Sequence, residues 1–292
     1  MTKNQYTHLV ISGGSYKGLY IIGTLQYLIK KNIIDIDKLE DIYGISVGSL
    51  IGFLLCLKLD IDDLIDYLIQ FPWKKIFSFS MNELLEIFIN KGFIYKKKFI
   101  ILFYNLLKKA GLNKDITFKQ LYEYSNISFY TYSLNMNIFK LEEFSHIKTP
   151  DFKVLDAIYM SCSLPIIFKP LEYNGKLYLD GGLKNDYPLN RCLEYGCKLD
   201  ETIGIRITDK SKPTIEEDSN ILNMVVYLLR MFIINNNNYD EIESDNIINM
   251  NIPRNTISAA SIVLENVDAR KDCVREGKEA TEKYLIKKLK KV

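Results

Sequence analysis

Ile42-Tyr43-Gly44-Ile45-Ser46-Val47-Gly48-Ser49-Leu50 decides how this chain is read. Leu39 to Ile45 reads as a strand and Ser49 to Leu57 as a buried helix. Between them stands a serine with a glycine two positions away on either side. A strand that turns sharply into a helix brings the two backbones close together. Side chains at the flanking positions would collide there, so Gly44 and Gly48 are required. The turn holds the Ser46 oxygen exposed at the strand tip. The following helix points its positive end at the same place, which favours developing negative charge. Ser46 is therefore a candidate nucleophile. The same pentapeptide arises by chance in glycine-containing turns, so the assignment rests on its flanks and on its partners.

Outward from this turn, short apolar runs alternate with helical stretches. That pattern argues for an α/β fold with a largely parallel sheet. Tyr6 to Ser12 reads as a first strand broken by Gly13 and Gly14, and Leu19 to Ile29 as a buried helix. Asp60 to Gln70, Met81 to Asn90 and Lys96 to Lys109 read as helices inserted after the elbow helix, with Ser80 and Glu83 as a capping box. Ile127 to Asn135 and Ile138 to Phe144 suit a hairpin across Met136-Asn137. Val154 to Ser161 reads as a helix. Leu177 to Leu179 is a short strand leading into Asp180-Gly181-Gly182. Glu201 to Ile207 and Ile247 to Ile252 read as strands, and Asn220 to Ile234 as a helix before the loop Asn235 to Asn238. Glu265 to Leu289 is a charged helical region. No repeat or linker divides the 292 residues, so a single domain over 1–292 is expected, with core motifs in 6–207 and a C-terminal helical extension from about 208.

The bulk numbers exclude several classes. A formal net charge of +2 with 25% charged residues lacks the concentrated positive excess of a nucleic-acid binder. Five cysteines, at positions 56, 162, 192, 197 and 273, match no paired zinc pattern. Cys192 and Cys197 suit half a metal site, but buried free thiols in a reducing compartment fit better. The polar N-terminus lacks the features of a secretory signal. No run approaches the ~20 apolar residues that span a bilayer. A cytoplasmic protein, not secreted, is expected.

A serine hydroxyl needs a proton acceptor. The chain holds two histidines. His146 follows Ser46 in order but ends a charged strand, which favours a loop or surface role. His8 lies inside the first strand and reads as a core residue. Asp180 sits where a strand gives way to two glycines, so its carboxylate can project toward the sheet edge that carries the elbow. Asp-Gly is equally a turn signal. Residue types alone leave the acceptor open.

Three segments together resemble the patatin-like phospholipases. Ser12-Gly13-Gly14-Ser15-Tyr16-Lys17-Gly18 resembles the family's glycine-rich oxyanion loop. Gly44 to Gly48 resembles its elbow, and Asp180-Gly181-Gly182 its aspartate motif. Ser161-Cys162-Ser163-Leu164-Pro165 and Leu183-Lys184-Asn185-Asp186-Tyr187-Pro188 support the match, which spans about 6–207. The resemblance implies a three-layer α/β/α fold with a mostly parallel sheet. It also implies a Ser46–Asp180 dyad without histidine, an oxyanion hole from Gly13, Gly14 and Ser15, and a loop completed by Lys17 and Gly18. The implied activity is fatty-acyl ester cleavage through an acyl-enzyme, with no metal or cofactor. The expected substrate is a lipid of the phospholipid class, and Lys17 is expected to hold the loop or attract a lipid phosphate.

One departure stands out. The family's loop carries glycine where this chain has Ser15, often with aspartate where it has Ser12. Ser15 keeps an N–H, and the oxyanion donor survives if Ser15 adopts the backbone angles that glycine supplies. The rival readings are a dinucleotide-binding fold, which lacks a middle glycine here, and a non-catalytic lipid-binding or scaffold protein with the same fold. For peripheral membrane contact, Gly92 to Ile100 and Phe71 to Lys75 place lysines beside aromatics. The competing reading packs their apolar face on the core.

Overall fold

Side chains along the central strands alternate in facing, and this sorts the helices into two layers. Leu9, Ile11 and Ile42 join one buried cluster, while Val10, Tyr43 and Ile45 join another. The computed structural model describes residues 6–77, 89–209, 221–236, 242, 244–252 and 257–290. Its strands are β1 (His8–Ile11), β2 (Asp41–Ile45), β3 (Gly92–Ile94), β4 (Ser128–Asn135), β5 (Lys140–Phe144), β6 (Ile166–Phe168), β7 (Leu171–Tyr173), β8 (Lys176–Asp180), β9 (Thr202–Thr208) and β10 (Ile247–Asn251). The main sheet is ordered β10-β9-β1-β2-β4-β8-β7, with β5 also paired to β4. Pairs from β10 to β4 are parallel. Those of β4 with β5, β4 with β8 and β7 with β8 are antiparallel. Helices cover both faces of this mixed sheet, giving the expected three layers.

The larger layer holds the helices Gly18–Lys30, Val47–Cys56, Ile61–Gln70, Val154–Ser161 and Val267–Leu289. Their apolar faces form one cluster with the sheet. The opposite face is covered by Leu189–Glu194 and Ile221–Asn236, the latter packing Leu229 and Ile233 on Leu134, Leu179 and Leu183.

Several expectations are corrected. Lys96 to Lys109 is not one helix. It divides into Lys96–Ile100, a 3₁₀ turn at Ile101–Phe103, and Tyr104–Lys109. Phe99, Leu102, Phe103 and Leu106 are all buried, and the tighter turn brings residues three apart onto one side. The stretch Gly92 to Ile100 follows the core-packed of its two readings, with Ile94 and Phe99 buried. Gly92–Ile94 pairs with β6, and Lys96 lies 3.0 Å from Asp156. The hairpin turn takes in four residues, Met136 to Phe139, because Asn135 accepts from the Asn137 N–H and Phe139 adopts φ 54°. The helix Phe118–Ser125, with a Thr117–Gln120 capping box, was not expected. The Ser80–Glu83 box, nearly all of the helix read over Met81 to Asn90, and Asn237 and Asn238 of the polar loop lie outside the described residues. Asn235 and Asn236 end a helix.

The C-terminal region is not only helical. β10 extends the parallel sheet beside β9, and Val267–Leu289 lies against Gly18–Lys30. Glycines on both helices permit this approach. A Cβ at Gly23 would fall 2.1 Å from the Val274 carbonyl oxygen, and one at Gly277 would fall 2.2 Å from that of Tyr20. Either clash is with backbone, which cannot swing aside. Gly277→Ala is therefore expected to destabilise the fold by about 2 kcal/mol through overpacking, and Gly23→Ala similarly. Urea denaturation of the two variants checks this. A midpoint unchanged from the parent chain would show that the helices are not held at this distance.

Candidate active site

Strand register brings the candidate nucleophile and its candidate base together. β2 occupies one edge of β4 from Ser128 to Tyr132, where Ile45 pairs with Tyr132. β5 pairs from Thr131 to Asn135, so it must lie on the other edge. β8 pairs at Ser133 to Asn135, with Asp180 opposite Ser133. It therefore continues the β2 edge, running the opposite way. The last residues of β2 and β8 sit opposite consecutive residues of β4. Ser46 follows the first, and Asp180 is the second.

The side chains meet accordingly. Ser46 Oγ donates to Asp180 Oδ2 at 2.7 Å, and the Gly182 N–H donates to Asp180 Oδ1 at 2.7 Å. Both oxygens of the carboxylate are thus oriented. Ser46 is 8% exposed and Asp180 1%. Burial pushes the Asp180 carboxyl up from 3.8 to about 7, against the opposing pull of the Ser46 and Gly182 hydrogen bonds and with a smaller push from Asp186. Ser46 itself has φ 53° and ψ −129°, in a region that a residue with a side chain rarely adopts. Gly44 and Gly48 make the turn possible. A Cβ on Gly44 would lie 2.5 Å from the Gly48 carbonyl oxygen, and one on Gly48 would lie 2.5 Å from that of Ile11. The ten-residue helix Val47–Cys56 starts directly after the serine, so its positive end faces Ser46 Oγ.

The glycine-rich loop closes the site from the β1 side. A Cβ on Gly13 would touch that of Ser46 at 3.3 Å. The Gly13 N–H, however, donates to the Asp186 carbonyl at 2.8 Å. That removes Gly13 from the expected oxyanion donors. Among the described residues nothing accepts from the N–H of Gly14 or Ser15. Ser15 adopts φ 54°, the left-handed geometry that its loop position demands. Lys17 Nζ donates to the Ile252 carbonyl at 2.7 Å and lies 3.8 Å from Asp209. Its ammonium ties the loop to the end of β10, and burial lowers its pKa to about 8. Gly18 lets the next helix approach Val47, whose side chain would meet an added Cβ at 2.4 Å.

Two supporting residues carry roles that residue types alone did not reveal. Ser161 is fully buried, donates to the Tyr132 carbonyl at 2.7 Å, and accepts from the Ser46 N–H at 2.9 Å. It thereby holds the elbow against β4. Asp186 supplies the carbonyl that fixes Gly13. Both lie in the stretches 161–165 and 183–188, so the signal was present without a role attached.

A cavity of about 300 Å³ opens onto Ser46 and Asp180. Leu164, Ile207, Ile233 and Ile234 give it apolar walls, while Arg206 and Arg230 stand in it beside Asp186 and Asp209, Arg230 lying 2.7 Å from Asp209 Oδ2. A larger cavity of about 390 Å³ beside Tyr132 and Arg191 touches neither catalytic candidate. The histidines are elsewhere. His146 stacks on Tyr122 with ring centroids 4.1 Å apart. His8 lies at the amino end of β1, its Nδ1 2.8 Å from Asp41 Oδ2. Asp41 is five residues before Ser46, roughly 16 Å along an extended strand. His8, Asp41 and Cys197 place one donor atom each within 4.8 Å of one another, a grouping that chain spacing concealed. It lies at the opposite end of the sheet from the nucleophile.

The patatin-like phospholipase family model matches residues 9–193. A probable lipid hydrolase, 463L, of Invertebrate iridescent virus 6 is 29% identical over 192 residues, covering 65% of this chain and 64% of that protein's own length. The uncharacterized protein R571 of Acanthamoeba polyphaga mimivirus is 27% identical over 212 residues, covering 73% of this chain and 69% of its own. VipD from Legionella pneumophila shares the fold with a TM-score of 0.56 at 15% identity, over 97% of this chain and 67% of its own.

Two outcomes follow from this geometry. Ser161→Ala leaves the buried Ser46 N–H without its acceptor, a loss of about 1–3 kcal/mol, and should lower Ser46 reactivity as the elbow loosens. Chemical denaturation together with labelling rates reads both effects. Because the Asp180 pKa is raised on folding, the folded state favours the protonated acid. Its stabilising contribution is full below about pH 3.8 and is lost as pH rises through about 7. Asp180→Asn should therefore gain in melting temperature relative to the parent between pH 5 and pH 8. A constant difference across that range would contradict the raised pKa.

Proposed function

This chain belongs to the patatin-like phospholipase family, and from that premise we propose that Ser46 and Asp180 form the catalytic dyad of a lipid acyl hydrolase. The carrying observation is the 2.7 Å hydrogen bond from Ser46 Oγ to Asp180 Oδ2. With its pKa near 7, Asp180 matches the requirement for a general base at neutral pH.

Ser46 Oγ attacks the ester carbonyl carbon while its proton passes to Asp180 Oδ2. The carbonyl oxygen becomes an oxyanion and accepts from the N–H groups of Gly14 and Ser15, supported by the positive end of helix Val47–Cys56. Collapse of this intermediate breaks the bond to the alcohol oxygen. Asp180 returns its proton to that oxygen, so the alcohol leaves neutral and an acyl-serine remains. Water attacks the acyl carbonyl, gives its proton to Asp180, and the second collapse releases the fatty acid and restores the Ser46 hydroxyl. The chemistry draws on no metal or cofactor.

The substrate class follows from the walls of the cavity. Its apolar side suits an acyl chain, and Arg206, with Arg230 held beside it by Asp209, suits the phosphate of a phospholipid. The name of the iridescent virus relative agrees with a lipid substrate. No helix among the described residues is long and apolar enough to cross a membrane. Five free cysteines fit a reducing, cytoplasmic setting, so the enzyme would meet lipid peripherally.

A fluorophosphonate probe tests the dyad. The parent chain should label at Ser46, Asp180→Asn should label more slowly by a factor of at least about 10², the lower range for losing an acid–base group, and Ser46→Ala should not label. Equal labelling of Ser46→Ala would refute the assignment.

A further inference from the structure

Helix Ile221–Asn236 has two dissimilar faces. Leu229 and Ile233 pack inward, and Arg230, Ile233 and Ile234 line the catalytic cavity. Met224, Leu228 and Phe232 recur every fourth residue and so share one face. All three face solvent, Leu228 with 55% exposure. A water-facing helix side ordinarily carries polar residues.

The β4–β5 hairpin extends this surface. Ile138, 56% exposed, and Phe139 stand at its tip, and the Phe139 ring meets that of Phe232 edge to face at 6.0 Å. The patch is thus built from two elements in contact. Basic groups border it. Lys184 Nζ lies 5.4 Å from the centre of the Phe139 ring, and Lys140, exposed, opens β5 directly after Phe139. Lysines beside aromatic and aliphatic groups complement an anionic lipid surface, where the apolar side chains enter the acyl boundary and the ammonium groups stay at headgroup level.

We propose that the exposed face of helix Ile221–Asn236, together with the tip of the β4–β5 hairpin, is the surface by which this chain docks on an anionic lipid bilayer. Docking there lays the helix that walls the catalytic cavity on the bilayer, with its cavity-lining side turned away from the lipid. Ile234, 46% exposed, stands where that helix borders the cavity, so an acyl ester passes from the bilayer round the helix edge to Ser46. This surface differs from Gly92 to Ile100, whose apolar residues Ile94 and Phe99 are buried in the core. The inference rests on the lipid-hydrolase reading of Ser46, so binding and turnover are measured separately.

Flotation of the full chain with vesicles of phosphatidylcholine, with and without phosphatidylserine, tests the surface. Binding is read on Ser46→Ala protein, which does not alter the lipid. The expected result is partition that rises with phosphatidylserine content and falls at least tenfold in Leu228→Asp/Ile138→Asp. The same double change in the parent chain should leave hydrolysis of a water-soluble short-chain ester within twofold. Should the double variant fold poorly, Met224→Gln/Phe139→Ser should give the same direction of change. Vesicle binding without any ester hydrolysis by the parent would sustain the docking surface while removing the hydrolase reading. Undiminished vesicle binding by folded variants would overturn the proposal. So would a parent dimer that these substitutions convert to monomer without altering its vesicle binding, since a second copy would then cover the face.

Discussion

One edge of β4 carries two strands end to end, and the site depends on that sharing. β2 arrives parallel and stops opposite Tyr132, while β8 arrives antiparallel and stops opposite Ser133. Nothing in either strand alone brings a serine to a carboxylate. The backbone ladder does so, with a precision that long side chains on loops would not provide. Small residues keep the junction tight. A Cβ on Gly181 would fall 2.5 Å from the Tyr132 carbonyl oxygen, the same oxygen to which Ser161 donates. A one-residue slip of β8 along β4 would move Asp180 away and turn its side chain to the other face of the sheet.

In the proposed dyad, burial gives this carboxylate its basicity. In water an aspartate is too weak a base to take a proton from serine at useful rates. Here desolvation raises its affinity for a proton, and the Ser46 hydroxyl and Gly182 N–H hold its two oxygens in position. The arrangement costs stability in the ionised form, as does the positive φ at Ser46 and Ser15. The surrounding fold offsets these costs. Helix Val267–Leu289 locks on Gly18–Lys30 behind the glycine-rich loop, and Lys17 anchors the loop to the end of β10. The late part of the chain therefore supports a site whose named residues all lie earlier.

Much of this was legible in the residue pattern because it is local. The elbow needs glycine at fixed offsets, so Gly44, Ser46 and Gly48 declare a strand–turn–helix without any knowledge of the remainder. The scarcity of histidine narrowed the base, and the family resemblance singled out Asp180. What could not be read was set by pairing between distant segments. The commitment of the Gly13 N–H to Asp186 links residues far apart in the chain, and no spacing rule reveals it. Ser161 looked like an ordinary helix-ending serine until β4 was placed beside it. The aromatic-lysine stretch at Gly92 to Ile100 left a membrane-facing and a core-packed reading open, because its partner strand, Ile166–Phe168, is short and carries little strand signal. The exposed apolar face of Ile221–Asn236 was hidden too. The residue pattern names the helix but not which of its apolar residues the sheet covers.

The central claim is that a buried aspartate, not a histidine, activates Ser46. The pH dependence of kcat/KM for a soluble ester tests it most directly, because this quantity reports ionisation of the free enzyme's base. Activity should climb with a single ascending limb centred near pH 7, the value to which burial raises Asp180. Asp186→Asn should move that limb to lower pH, because Asp186 adds to the upward shift. A rate that is flat from pH 5 to pH 8, or a limb unmoved by Asp186→Asn but abolished by His146→Gln, would contradict the account.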